Sequence, residues 1–265
     1  MSTDTPVTLE ISGGVARLAL NRPDKRNALD SATIAALSAA LRRCADDPKV
    51  RVLQLTGAGN VFCAGADLGE MQAQLQASES ENLAHAKKLA SVLGVLDSMR
   101  KPTVARVNGD GYGGALGLIA ACDIVIAAEG AKFAFTEVRL GIIPAVVSPF
   151  VLGKISESAA LRYFLTAETM SAATLKEMGL VHEVVPAEAL DAACNRISDA
   201  VLKGAPGALS EAKALIRDAA HRSAEGRANA SIRMAARLAR LRVKPEAQEG
   251  FSAFFAKRKP NWRPD

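Results

Sequence analysis

The stretch Val107–Asp123 holds the densest chemical signal in the chain. An apolar run, Val104 to Val107, leads into Asn108-Gly109-Asp110-Gly111-Tyr112-Gly113-Gly114, and an apolar segment without a polar face follows. Glycines in such a turn let backbone approach backbone, or backbone approach a ligand. The first N–H groups of the helix that follows have no internal partner and can face a developing negative charge. This is the chemistry of half an oxyanion hole. A second short turn, Ala64-Gly65-Ala66-Asp67 after the apolar Val61-Phe62-Cys63, has two readings. It is either an ordinary strand-to-helix turn capped by Asp67 or the other half of the same device. Lys25 and Arg26 in a polar loop are either solvated charges or a grip on an anion.

The elements that must position these residues follow from the patterning. Val7 to Ile11 and Val15 to Leu20 alternate around Gly13-Gly14, which predicts a hairpin. Asp30 or Ser31 caps a helix whose apolar positions are Ile34, Leu37, Leu41 and Cys44. Val50 to Thr56 reads as a strand. Leu89, Leu93, Leu96 and Met99 mark an amphipathic helix. Strands follow at Thr103 to Val107, Asp123 to Ala128 and Phe133 to Phe135. Met71 to Glu81 is rich in Gln and Ser and lacks an apolar stripe, so a mobile segment or lid is expected there. Ser171 caps a short helix ending at Gly179, and Leu180 to Val185 reads as a strand. From Asp191 the signals are helical. The order is a β-β-α unit recurring several times, then helices alone, which argues for parallel sheets in an α/β fold.

Composition narrows the class. With 49% hydrophobic and 23% charged residues, the 265-residue chain is globular. Aromatics make up 4%, too few for a stacking platform on single-stranded nucleic acid. The net charge of +5 suits a phosphate-bearing small ligand, and no continuous Lys/Arg stripe supports RNA binding. Cys44, Cys63, Cys122 and Cys194 are widely separated, which predicts buried free thiols and no zinc site. Met1 to Pro6 has no apolar signal core, and the longest apolar segment is too short for a bilayer. A cytoplasmic protein without membrane contact is the expectation.

Four segments, taken in order, resemble the crotonase (enoyl-CoA hydratase/isomerase) superfamily. They are Asn21-Arg22-Pro23-Asp24-Lys25-Arg26-Asn27-Ala28-Leu29, Phe62 to Leu68, Val107 to Asp123 with Glu137 and Leu140-Gly141, and Phe254 with Lys257-Arg258-Lys259-Pro260. The resemblance implies a crotonase-like spiral of β-β-α turns over residues 1–200 and a C-terminal helical oligomerisation region over 201–265. It implies a homotrimer or a dimer of trimers. The substrate is then an acyl-CoA thioester held by the N–H groups of Ala66 and Gly114, with no separate cofactor. Lys25, Arg26 and Ala28 lie against CoA, the backbone from Ala64 through Asp67 to Leu68 reads adenine, and Tyr112 and Phe254 line the site. Lys257 reaches the CoA phosphates from a neighbouring subunit.

The resemblance also exposes a departure. Typical hydratases of this group use two glutamates. The position of the first, three residues after Gly114, is Gly117 here; the second is Glu137. One carboxyl group remains for acid–base work, with Gly117 giving room for substrate or water. Hydration of a 2-enoyl-CoA is the leading expectation, with Δ3,Δ2-enoyl-CoA isomerisation by the same glutamate as the alternative. A non-catalytic CoA-ester binder is the reading from another class. The run Ala145-Val146-Val147-Ser148-Pro149-Phe150 resembles a branch containing bacterial 3-methylglutaconyl-CoA hydratases, whose substrates carry a distal carboxylate. Arg139 is the residue singled out to pair with it, against a surface or interface role. His85, His182 and His221 fall outside every motif, and a solvated helix face is the expectation for His85.

Overall fold

A computed structural model describes residues 5–204, 206–219, 232, 235, 236, 238–240 and 242–258. Strand β1 (Val7–Ser12) pairs antiparallel with β2 (Val15–Leu20), turning through Gly13 and Gly14 at positive φ. Helix α1 (Ser31–Asp46) starts where the Asp30 side chain accepts the Thr33 N–H, and it buries Ile34, Leu37, Leu41 and Cys44.

From there the chain winds between two sheets. Strands β3 (Val52–Gly57), β5 (Thr103–Val107) and β7 (Ile124–Ala128) lie side by side in a six-stranded sheet of order β1-β2-β3-β5-β7-β10. Strands β4 (Val61–Cys63), β6 (Asp110–Tyr112) and β8 (Lys132–Ala134) form the first three strands of a second, four-stranded sheet. Each turn of the winding therefore gives one strand to each sheet, with helix α3 (Glu79–Ser98) or α4 (Gly114–Ala121) carrying the chain onward. Neighbours from β2 to β7 in the large sheet run parallel. Strand β9 (Met170–Ser171) pairs antiparallel with β8, and β10 (Glu183–Val185) returns to β7. These are the β-β-α turns expected from the strand order.

Met71 to Glu81 differs from the expected mobile segment. Helix α2 (Leu68–Ala73), a 3₁₀ turn (Gln74–Gln76) and the start of α3 occupy it. Ser78 and Glu81 form a reciprocal capping box, and Met71 and Gln74 are buried. The polar composition that suggested a lid is the composition of caps and turns.

Beyond Leu202 the described secondary structure is helical. It includes Pro206–Ala219 and Pro245–Phe255, and Ala235, Leu238, Ala247 and Phe251 join the main buried cluster. A β-carbon on Gly250 would stand 2.2 Å from the Leu140 carbonyl oxygen. The C-terminal helix is thus pressed onto the 3₁₀ turn Glu137–Leu140, and only glycine allows that distance.

Candidate active site

The Asn21–Leu29 loop is built around a buried asparagine. Asn27 Nδ2 donates to the carbonyls of Ala58 and Val61, and its Oδ1 accepts the Arg22 N–H. Arg22 pairs with Asp30 at 2.9 Å and Asp67 at 3.1 Å. These contacts fix the turn Ala64–Asp67 beside the start of α1. Leu29 and Ala66 then form a parallel bridge, in which Leu29 N–H donates to Gly65 O and Asp67 N–H donates to Leu29 O. In a parallel bridge the bonds run to the residues on either side of the bridged one. The Ala66 N–H is left over.

The Gly113 turn meets this one directly. Gly65 (φ +87°) has room for no side chain, because a β-carbon would stand 2.7 Å from the Tyr112 carbonyl oxygen. Gly113 adopts φ 51°, ψ −113°, a conformation reserved for glycine, and its N–H donates to Ala134 O. Gly114 opens α4. Among the described residues no protein acceptor takes the N–H of Ala66 or of Gly114. Both line one cavity of about 200 Å³, together with Ala64, Leu68, Tyr112, Gly113, Glu137 and Phe254. Two fixed N–H groups in an apolar cavity can stabilise an oxyanion without reorganising.

Glu137 brings a carboxyl group to this cavity. It begins the 3₁₀ turn, and a β-carbon on Gly113 would lie 3.1 Å from its Oε1. Its Oε2 is buried with no hydrogen-bond partner. Burial pushes its carboxyl up from 4.5 to about 7, opposed by a backbone hydrogen bond. Such a group exchanges a proton near neutral pH.

Two expected site residues stand elsewhere. A β-carbon on Gly117 would meet Val147 Cγ1 at 2.5 Å and Leu93 Cδ1 at 3.0 Å. Gly117 is buried behind Val147, so the room it leaves is filled by valine and not by substrate or water. Arg139 is exposed, lies outside the lining and donates to Ala167 O at 2.7 Å. It ties the Glu137 turn to the loop after the helix Glu157–Thr166.

The CoA-facing residues are more dispersed. Leu68 and Phe254 are 55% and 45% exposed and give the cavity an apolar rim. Arg26 lies within 3.5 Å of Asp110, which accepts the Tyr112 hydroxyl at 3.2 Å. Lys25 closes a 3₁₀ turn, Ala28 is buried beneath it, and neither contacts the cavity. Asp67 caps α2. Lys257 is exposed at φ 52°, while Lys259 and Pro260 lie outside the described residues.

Two lining residues went unrecognised in the sequence. His85 is not solvated: its Nδ1 meets Gln74 Nε2 and its Nε2 meets Glu70 Oε2, each at 2.9 Å. The spacing His85–Leu89–Leu93–Leu96 already placed it on the apolar stripe of α3. Arg242 is 7% exposed and lines the cavity. Nothing in its local sequence separates it from the neighbouring arginines. His182 is structural, its Nδ1 accepting the Val125 N–H, and His221 lies outside the described residues.

A two-sheet spiral with a glycine-built pair of N–H donors and one raised carboxyl defines an acyl-thioester class of site. The chain matches the enoyl-CoA hydratase/isomerase family over residues 10–265 and belongs to that family. It resembles the crystal structure of an enoyl-CoA hydratase from Mycobacterium avium at TM-score 0.85 and 37% identity, covering 98% of this chain and 100% of that one. For an enoyl-CoA hydratase from Shewanella pealeana the values are 0.79 and 39%, covering 97% and 96%. An (E)-benzylidenesuccinyl-CoA hydratase of Thauera aromatica is 34% identical over 76% of this chain and 78% of its own length.

Proposed function

We propose that this enzyme adds water across the double bond of a 2-enoyl-CoA. The observation that carries the reading is the convergence of Glu137, Ala66 and Gly114 on one apolar cavity. The thioester oxygen sits between the Ala66 and Gly114 N–H groups, which take up enolate charge as it forms. Glu137 in its ionised form accepts a proton from water as that water attacks C3, and then returns the proton to C2. A carboxyl with a pKa of about 7 is suited to both halves of the cycle. The acyl group we assign is 3-methylglutaconyl, on the strength of the Thr136–Phe150 segment. A relative named for a succinyl-derived thioester is in keeping with that choice. The working unit is a homotrimer or a dimer of trimers, in which Lys257 reaches a neighbour's CoA phosphates; the mass in solution tests this.

A second reading has its own observation. Val147 fills the space at Gly117, so no second carboxyl can take up a place there. A single glutamate that removes a proton from C4 and returns it to C2 would isomerise a 3-enoyl-CoA. Incubation with crotonyl-CoA, 3-methylglutaconyl-CoA and a 3-enoyl-CoA separates the two. Addition of water to the branched ester, with loss of the enoyl absorbance, is the expected result, whereas double-bond migration without hydration would replace our reading by the second.

A further inference from the structure

The cavity contains a charge that neither reading uses. Arg242 lines it, yet its Nε and Nη1 are buried and have no acceptor among the described residues. The carboxylate whose charge it feels is Glu70. Glu70 is already engaged: Oε1 accepts the Ser31 N–H at 2.9 Å, Oε2 accepts the Ser31 hydroxyl at 3.1 Å, and Oε2 faces His85 Nε2 at 2.9 Å. No ion pair joins Glu70 to Arg242 within 4.0 Å among the described residues.

Buried guanidinium nitrogens without an acceptor are strongly unfavourable, and arginine has little recourse to losing its proton. Burial lowers its pKa only to about 10, so the charge persists at neutral pH. Among the described residues none supplies the acceptor, and the cavity that Arg242 lines is the open side from which one can come. The surrounding surface is apolar, with Ile34, Met71, Ala86 and Leu238 on the lining. About 200 Å³ has room for a short acyl chain but not for a nucleotide diphosphate. An anion that arrives there therefore arrives on the acyl chain.

Resting on the assignment of this cavity to an acyl-CoA ester, we propose that Arg242 receives a carboxylate at the distal end of the acyl group and selects thioesters of dicarboxylic acids. Planar guanidinium donors match the two oxygens of a carboxylate, and the pair is strengthened by its dry surroundings. Arg139 does not take this part, because its guanidinium is committed to Ala167 O outside the cavity.

Calorimetric titration with two saturated, unreactive esters tests the proposal. Glutaryl-CoA and valeryl-CoA share chain length and CoA and differ in the terminal carboxylate. The wild-type protein is expected to bind glutaryl-CoA on the order of 30-fold more tightly, the scale of a hydrogen bond to a charged group. Arg242→Met should remove that preference by weakening glutaryl-CoA, with valeryl-CoA and free CoA changed less than about threefold. Arg242→Lys, which keeps the charge without the planar fork, should retain part of it. Equal wild-type affinity for the two esters overturns the proposal, whatever the variants do. So does an Arg242→Met variant that weakens both esters and free CoA alike, which would put a CoA phosphate on Arg242. Neither ester has a double bond, so this result stands apart from turnover: a protein that prefers glutaryl-CoA but hydrates no enoyl-CoA would overturn the hydratase reading and leave this one standing.

Discussion

Glu137 and Arg242 share one cavity, and burial acts on them in opposite directions. It raises the Glu137 carboxyl to about 7 and lowers the Arg242 guanidinium to about 10. Each shift disfavours the charged form, as low polarity requires. The outcomes differ because the starting points differ. The carboxyl is brought to the pH at which it gains and loses a proton readily. The guanidinium begins so far above neutrality that it remains a fixed charge. One apolar wall can thus leave one residue titrating near neutrality and another permanently charged.

The strongest way to break this division is Glu137→Gln. Turnover should fall about 1000-fold, within the range for loss of a general acid–base group. Binding of saturated esters should stay near the wild-type value, and activity that survives would remove Glu137 from the chemistry. In the wild type, kcat/KM for hydration should rise with pH through about 7, because the ionised form accepts the proton. Stability should run the other way. The unfolded carboxyl releases its proton near 4.5 and the folded one near 7, so the native state binds more protons between those values and loses stability as pH rises. Above pH 7 the charged, buried carboxylate costs up to about 3 kcal/mol relative to pH 4. Glu137→Gln should remove that slope, as read by denaturant melts at pH 4 and pH 8.

Gly113→Ala perturbs the carboxyl without deleting it. The new methyl would sit 3.1 Å from Glu137 Oε1, on a backbone at φ 51° that only glycine tolerates. We expect kcat to fall about 100-fold and stability by about 2 kcal/mol, from misplacement of the acid together with backbone strain. A variant with normal turnover would show that Glu137 is not held by this turn.

How far these roles can be read from sequence depends on what each residue contributes. Gly113, Gly114 and Ala66 present backbone to the cavity, and the short turns around them leave few conformations to choose from. Their pairing was expected from the family resemblance, because the Ala64–Asp67 turn by itself reads equally as a capped strand-to-helix turn; the close approach of Gly65 to Tyr112 became visible only in the fold. Parallel strand pairing was legible from strand–helix alternation, whereas the spiral was expected from the family resemblance and its division between two sheets was seen only in the fold. Gly117 and Arg139 lie off the cavity lining for reasons that are not local. Gly117 is explained by Val147, thirty positions along, and Arg139 by a carbonyl on another loop. Arg242 lines the cavity from just ahead of the C-terminal helix Pro245–Phe255, and no local pattern marks which arginine faces inward. Contacts between distant segments were the part that sequence patterning did not contain.

Gly117 and Val147 bear on why the Glu137 carboxyl is alone. Gly117→Ala should destabilise the fold by roughly 1–3 kcal/mol through overpacking against Val147. Val147→Ala in the same chain should recover much of that loss, a coupling that a double-mutant cycle in denaturant measures directly. If the two losses add, the pair is not in contact, and the site at Gly117 is open to a group that would change the acid–base count.

Arg139→Ala gives the smallest expected effect and the sharpest contrast between arginines. Its exposed guanidinium loses one hydrogen bond to Ala167 O, so stability should change by about 1 kcal/mol or less. Discrimination between a carboxylated and an uncharged enoyl-CoA should be unaltered, because the side chain does not reach the cavity lining. A selective loss of turnover on the carboxylated ester would move the anchor from Arg242 to Arg139. The raised carboxyl and the fixed charge would then lie two residues apart on one 3₁₀ turn, and Arg242, which precedes the C-terminal helix, would have no part in choosing the substrate.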